Sequence, residues 1–520
     1  MSRRKKSLIA VSAVFAAMIL IPVIRHYQLR FAVESYVAQL KAKGEPMELA
    51  QVIPPPVPRE QNSAPLFLKA AALLTTNDDV LINNPLPAMR GVAPGKAMVG
   101  WTQSAIRSVE GTNTWEEVRA ALAQEEEAIK LLGQITNGST FDFDLQYAQR
   151  SEMLLKHLGS EKKFAQRLSA AAVYDLQLGD ATLAAQDIRV LLALVEGTDD
   201  ERTAISQLVR IAIAQITVAT TWELLQSSNL AGESLVNLQA DWSRLEFIQA
   251  AEHVLPVERE CGEDNFTKWR SSSSELKRYF DLAKQVHEKL GFSDEQDFED
   301  TIWDDIRTKI QTFFWRYWWS YSDELRSLKG YDVLICTVRM ASTNNSFEEA
   351  LDIQDTQLRR LGISKLKSSL DSLYSGKTDL HSMLSESIVT LAAFARKVMR
   401  VEVAKQMTIT AIALKRYQLK HGNFPADLNS LVPDFLPAIP LDPVDGQPLR
   451  YRRNADGTFL LYSVGENGVD DGGNPAWEPG VTSSSHAWQN PHALDWVWPQ
   501  PATAEEIQAY NEEEAKNGAK

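Results

Sequence analysis

Proline and glycine punctuate residues 421–473 so densely that this stretch can fold only as a short, sharply turned α+β unit. Asn423-Phe424-Pro425 ends a helix, because proline cannot continue one and pushes the preceding residue towards extended backbone. Asp442-Pro443-Val444-Asp445-Gly446 is a turn, with proline presetting φ and glycine free to take positive φ. Leu449 to Arg453 and Thr458 to Val464 read as two strands, joined by the hairpin signal Asn454-Ala455-Asp456-Gly457. The loop that follows, Gly465 to Asn474, sets Glu466, Asn467, Asp470 and Asp471 among four glycines. Oxygen donors on flexible backbone suit a hard cation such as calcium. The same residue types also favour a plain solvated turn. The spacing is not that of an EF-hand, and the loop has no His or Cys to attract zinc.

The N-terminus is equally marked. Arg3, Arg4, Lys5 and Lys6 precede an apolar run from Leu8 to Ile24, near the lower length limit for a membrane span. No small-x-small cleavage pattern follows, and Pro22 to Tyr27 reads as an interface edge. An uncleaved signal anchor is therefore expected in preference to a cleaved signal peptide. The basic cluster stays cytoplasmic, which places the body on the other side.

The net charge of −14 over 520 residues argues against nucleic acid, which needs a basic face. Cys261 and Cys336 lie far apart in sequence. They either pair in an oxidising compartment or remain free thiols. No Cys-x-x-Cys exists, which excludes a zinc knuckle or dithiol redox site of that type.

Leu29 to Lys43 reads as a helix leaving the membrane, and Pro54 to Pro58 as a stiff spacer. Residues 77–96, rich in Pro and Gly, read as loop. Helical periodicity then dominates from Trp115 to Leu419. Asn113 or Thr114 caps a helix with Glu116 and Glu117 in its first turn. Phe164 to Leu178, Gly179-Asp180 and Ala181 to Leu194 form a helix-turn-helix pair. Its Tyr174, Gly179 and Ala185 spacing resembles one tetratricopeptide hairpin, though no fixed period repeats. Ser385 to Lys420 reads as one long helix, too charged at Arg396, Lys397, Arg400, Glu402 and Lys405 to be a second span. Glu505 to Lys520 reads as a frayed acidic tail.

Residues 385–500 resemble the C-terminal domain of the major, G-type pseudopilin of type II secretion. The residues that carry this are Tyr417, Phe424-Pro425, Leu436 to Pro440, Asp442-Pro443, Gly446, Pro448, Tyr451 and Tyr462-Ser463-Val464-Gly465. The resemblance implies a long spine helix packed on antiparallel strands, with calcium in the acidic loop. It implies closure by Asp495 with Trp496 or Trp498. Two departures stand out: the N-terminus lacks the Gly-Phe-x-x-x-Glu processing site, and residues 475–493 are inserted before Asp495. As a whole the chain resembles a group of bacterial membrane-anchored envelope proteins, through Leu178-Gly179-Asp180 and Ile205 to Ala212.

Other constellations are weaker. Trp303, Phe313, Phe314, Trp315, Tyr317, Trp318, Trp319 and Tyr321 read mainly as a core helix junction, with a membrane interface or a partner surface as alternatives. The histidines are scattered singly. His253, with Glu252, Glu258, Glu260 and Cys261, is the densest catalytic candidate, but no nucleophile, metalloprotease or phosphate-loop motif appears.

The expected fold is mainly α with a small C-terminal α+β domain. The expected division is an anchor (1–27), a stalk and loops (28–112), an α-helical domain (113–384), a pseudopilin-like domain (385–500) and a tail (501–520). The expected protein is a single-pass bacterial inner-membrane protein with a periplasmic body and an envelope protein as partner. Its expected role is structural or in protein interaction, without catalytic activity; it is expected to bind no nucleic acid, and the sequence identifies no small-molecule substrate. The alternatives are a component of a type II secretion or pilus-like system, or an enzyme with an unrecognised site in the helical domain. A calcium shell is expected from Glu466, Asn467, Asp470, Asp471 and Asp495.

Overall fold

The computed structural model describes residues 3–74, 88–107, 112–135, 138–278, 309–310, 312–363, 387–478 and 488–517. Helices dominate, joined by small, mostly antiparallel sheets. The first half contains α1 (Arg3–Ala42), α2 (Leu49–Val52), α3 (Ala64–Ala71), β1 (Arg90–Ala93), β2 (Lys96–Met98), β3 (Ile106–Arg107) and β4 (Thr112–Asn113). Next come α4 (Trp115–Gln124), α5 (Glu126–Leu132), α6 (Leu158–Gln177), α7 (Ala181–Gly197), α8 (Ala204–Leu225), α9 (Gly232–Ser243) and α10 (Phe247–Ser271). A π-helical turn (Trp315–Trp319) leads into α11 (Ser320–Asn344) and α12 (Glu348–Arg360). Then follow α13 (Ser387–His421), β5 (Arg450–Arg453), β6 (Phe459–Ser463), β7 (Trp496–Val497), β8 (Gln500–Pro501) and α14 (Ala504–Asn517).

Local chemistry sets the boundaries. Thr114 and Glu117 form a reciprocal capping box at the start of α4. Gly179 adopts φ +83°, and Asp180 caps α7 through the amides of Thr182 and Leu183. In the Ile205 to Ala212 segment, buried Arg210 donates to the carbonyl of Val195 at 2.7 Å. Gln207 donates to the carbonyls of Thr198, Asp199 and Glu201. These two side chains tie the end of α7 to α8 and hold the connecting turn.

The core is built around α13. Residues 401–405 and 407–414 of this helix are buried, as an all-round apolar helix must be. It packs along α8, α9, α10 and α11, and reaches the sheet through β6. Its charges have assigned work. Glu402 and Lys405 form a buried pair at 2.9 Å. Glu402 accepts from the amide of Phe247, and Lys405 donates to the carbonyl of Leu245, so together they clamp the α9–α10 corner. One described helix, α8, is long and apolar enough to cross a membrane, but 67% of its apolar window is buried inside the body.

The β5–β6 hairpin forms where the alternation places it, pairing Arg450 with Tyr462 through Arg453 with Phe459. β7 adds to β6. Of the stretch 77–96 read as loop, residues 77–87 lie outside the described residues, and residues 90–96 instead belong to the β1–β2 hairpin, because Pro94-Gly95 is its turn and Gly95 sits at φ +67°. β8 pairs with β2 in parallel, and Trp222 on α8 donates to the carbonyl of Pro499 at 2.9 Å. Beside it, fully buried Glu223 accepts from the amides of Met89 at 2.9 Å and Gly100 at 3.0 Å; burial pushes its carboxyl up to about 8. Where the tail reads as frayed, Ala504–Asn517 is a helix. Thr503 and Glu506 bond each other's amides at its start, and Arg90 donates to Tyr510.

The 40-residue α1 would span about 60 Å at 1.5 Å per residue. Its later half docks on α11, burying Val33 and Leu40, and Tyr36 donates to Asp332 at 3.1 Å. The aromatic run divides. Trp315 is buried against Phe266 and donates to Asp323, whereas Phe313, Tyr317 and Trp318 are exposed. Trp303 lies outside the described residues. Cys261 and Cys336 are free thiols on neighbouring helices α10 and α11.

Candidate functional site

The acidic loop carries the oxygen donors expected to hold a cation. Its carboxylates are instead engaged by protein donors. Glu466 pairs with Arg396 at 3.2 Å and with Arg400, both one face of α13. Asp470 accepts from Tyr462 at 2.9 Å and from the amide of Gly472 at 3.0 Å. Those donors hold its carboxyl below the usual range, the Gly472 amide contributing most. Asp471 accepts from Asn467 at 3.2 Å, while Asn467 Oδ1 takes the amide of Val469. Asp495, fully buried, receives the amides of Gly473 at 2.8 Å, Asn474 at 2.9 Å and Asp471 at 3.3 Å. Burial pushes this carboxyl up, and the amides pull it back.

Asp495 therefore reaches the loop across the insert, as the resemblance implies, but it grips backbone N–H groups. Trp496 is buried beside it and donates to the carbonyl of Asn490. A calcium ion would have to draw Glu466 from two arginines and Asp495 from three amides. In the described arrangement the five side chains do not present a ready oxygen shell.

Asp442, from the turn, is the structural centre of the module. It accepts from the amides of Val444 and Val464, each at 3.0 Å, and from the hydroxyl of Ser463 at 2.9 Å. Burial raises its carboxyl to about 6.

The His253 group does not converge. His253 is exposed. Glu258 accepts from the amide of Ala204 at 2.7 Å, which secures the start of α8. Glu260 pairs with Arg150 at 3.3 Å. Burial pushes the Cys261 thiol up to about 12, away from the reactive thiolate.

A different histidine is better placed. His157 stands at the N-cap of α6 and Glu161 lies one turn on, so both project from one helix face. Glu201 comes in from the turn between α7 and α8. All three are buried, and their ligand atoms lie within 4.8 Å of one another. His157 Nε2 is 3.0 Å from Glu201 Oε2, a hydrogen bond, and 2.9 Å from Oε1. Neither oxygen of Glu161 has a hydrogen-bond partner. Burial, with Glu201 beside it, pushes this carboxyl well above the usual range. Phe143 stacks on the imidazole at 4.1 Å between centroids. The turn carrying Glu201 is fixed by Gln207 and by the amide of Arg202, which donates to Tyr147 at 3.0 Å.

The only local signal was His157-x-x-x-Glu161, a helix-face pair. Glu201 is 40 residues further on and joins only through the α6–α7 hairpin. A wide cleft of about 620 Å³ lies along α12, lined by Glu348, Glu349, Asp352, Ile353, Thr356 and Arg360; it is an open helix face rather than an enclosed pocket. No family model, curated protein or solved structure matches this chain.

Proposed function

We propose that this chain is a bacterial inner-membrane protein with one N-terminal anchor, whose periplasmic body and pseudopilin-like module serve a structural or partner-binding role. The observation that carries this reading is on α1. Where the helix leaves the body, Leu20 is 55% exposed, Ile21 64% and Ile24 53%, while the same helix is docked on α11 further along. Such an apolar surface is unfavourable in water at ~25 cal/mol per Å² and is at home in lipid.

The aromatic turn supports the same reading. Tyr321 meets His26 of α1 at 4.9 Å between ring centroids, so exposed Phe313, Tyr317 and Trp318 stand near the point where the apolar run begins. Aromatic residues of this kind favour the headgroup layer. The pseudopilin-like reading draws on the long helix, the β5–β6 hairpin, the Asp442 turn and the return of Asp495. Filament assembly is the less supported role. A spine helix must offer a face to neighbouring subunits, and α13 is enclosed by α8, α9, α10 and α11 of its own chain.

The test is fractionation and protease accessibility of the full chain in a bacterial host. Expected is a protein extracted from membranes only by detergent, with a body cleaved in intact spheroplasts. Deleting residues 1–27 should leave the body unbound. A full chain that stays in the membrane-free fraction, or a body shielded in intact spheroplasts and cleaved only after lysis, overturns the proposal.

A further inference from the structure

We propose that His157, Glu161 and Glu201 bind a divalent transition-metal ion, with zinc the best chemical match. Glu161 is 1% exposed, and both of its carboxylate oxygens are without a hydrogen-bond partner. Buried polar groups are ordinarily satisfied, and a buried carboxylate most of all. Among the described residues no Lys or Arg forms an ion pair with Glu161 or Glu201; the only basic side chain in ion-pair contact is His157, with Glu201. One imidazolium neutralises one carboxylate and leaves the other. A dication neutralises both.

Geometry supports the same conclusion. Ligand atoms around a tetrahedral zinc lie about 3.3 Å apart, as follows from bond lengths near 2.0–2.1 Å. The imidazole nitrogen and the Glu201 oxygens are already 2.9 to 3.0 Å apart. The three ligand atoms lie within 4.8 Å of one another, so the outermost pair needs to close by no more than about 1.5 Å, within the reach of a rotating glutamate. One imidazole with two carboxylates is a mixed N/O set that suits zinc better than calcium or magnesium, which prefer oxygen alone.

The surroundings are built to hold such a site. His157 and Glu161 sit one turn apart at the start of α6. Glu201 is presented by a turn whose carbonyls are clamped by Gln207 and whose next amide bonds Tyr147. Phe143 lies flat on the imidazole and fixes its plane. Three protein ligands leave a fourth zinc position for water. The ion would pin the start of α6 to the α7–α8 turn. This inference stands on the helical body and is independent of the membrane reading.

The experiment uses the full chain in detergent, stripped with chelator and then given zinc. The readouts are zinc bound per chain after gel filtration and the melting temperature. Wild type should hold one more zinc per chain than Glu161→Gln or His157→Gln, and zinc should raise its Tm by several degrees. Glu161→Gln keeps the side-chain shape and cannot carry a buried charge, so it should fold and melt at or above metal-free wild type, with little response to zinc. Cobalt(II) gives a second readout: a visible absorption band in wild type that Glu161→Gln lacks. Equal zinc content and equal zinc-induced shifts in wild type and Glu161→Gln would overturn the proposal. So would a wild type with no zinc response, which would mean that Glu161 is simply held protonated.

Discussion

The acidic loop at 465–474 and the pocket at His157 both gather carboxylates, but the loop surrounds them with donors and the pocket leaves Glu161 without one. In the loop, glycines at positive φ turn backbone amides towards Asp470 and Asp495, and α13 supplies Arg396 and Arg400 to Glu466. In the pocket, neither oxygen of Glu161 meets a hydrogen-bond donor, and an aromatic ring lies over the imidazole opposite. Carboxylates that are neighbours in sequence have the amides of their own loop within reach. Those brought together by tertiary packing have only what the packing brings. Clustered acidic residues in a sequence therefore mark a turn as readily as a metal site, whereas unmatched ones in a core ask for a counter-charge.

The largest loss of stability is expected at Asp495. Asp495→Ala removes the buried acceptor of the part-buried amides of Asp471, Gly473 and Asn474. The expected loss is about 3 kcal/mol in denaturant unfolding of the full chain. A loss below about 0.5 kcal/mol would show that the amides are satisfied by water and that the loop is not donor-built.

Glu223 sharpens the contrast, because it has amide donors and full burial together. Its folded carboxyl lies at about 8, above the unfolded 4.5. The folded state thus keeps a proton that the unfolded state loses. The stability from this group is fully present below pH 4.5 and is lost as pH rises through about 8. The slope is expected to reach on the order of 1 kcal/mol per pH unit between those limits, and Glu223→Gln should flatten it. An unchanged slope in the variant would mean that the amides outweigh burial and that the carboxyl is ionised throughout.

The smallest expected effect is that of calcium on the loop. With Glu466 and Asp495 already engaged, melting of the full chain in calcium and in chelator should agree within about 1 °C. A calcium-induced rise of several degrees, abolished by Asp470→Ala with Asp471→Ala, would show that the loop abandons its donors to form an oxygen shell.

What could be read from the sequence follows the range of the forces involved. Thr114 with Glu117, Gly179 with Asp180 and the turn at 454–457 act within a few residues, so their signals were complete locally. The long α13 was legible as a helix. Its burial on all sides was not, because the partners of Glu402 and Lys405, the amide of Phe247 and the carbonyl of Leu245, lie more than 150 residues away in sequence. The aromatic run could not be apportioned, since Trp315 is drawn inward by Asp323 and Phe266 while Tyr317 and Trp318 stay exposed against the rings of Phe313 and Phe314 in the same turn. The β1–β2 hairpin hid in a Pro- and Gly-rich stretch whose strands are three or four residues long and depend on a distant third strand. The His157 pocket needed a hairpin to close before Glu201 came into range.

The pairing of β2 with β8 has a consequence for biosynthesis. Lys96 meets Gln500, the amide of Gln500 bonds Gly95, and the indole of Trp222 bonds Pro499. A ribosome delivers β2, then α6 to α10, long before it delivers α13 and β8. Until then the nascent body has no central helix, and the apolar faces of α8 and α9 await it. Completion is thus registered by contacts that only a chain translated beyond Gln500 can make. A chain stalled short of Pro499 would keep an open sheet edge and an unbonded Trp222 indole, marks by which a chaperone or protease can distinguish it from the finished protein.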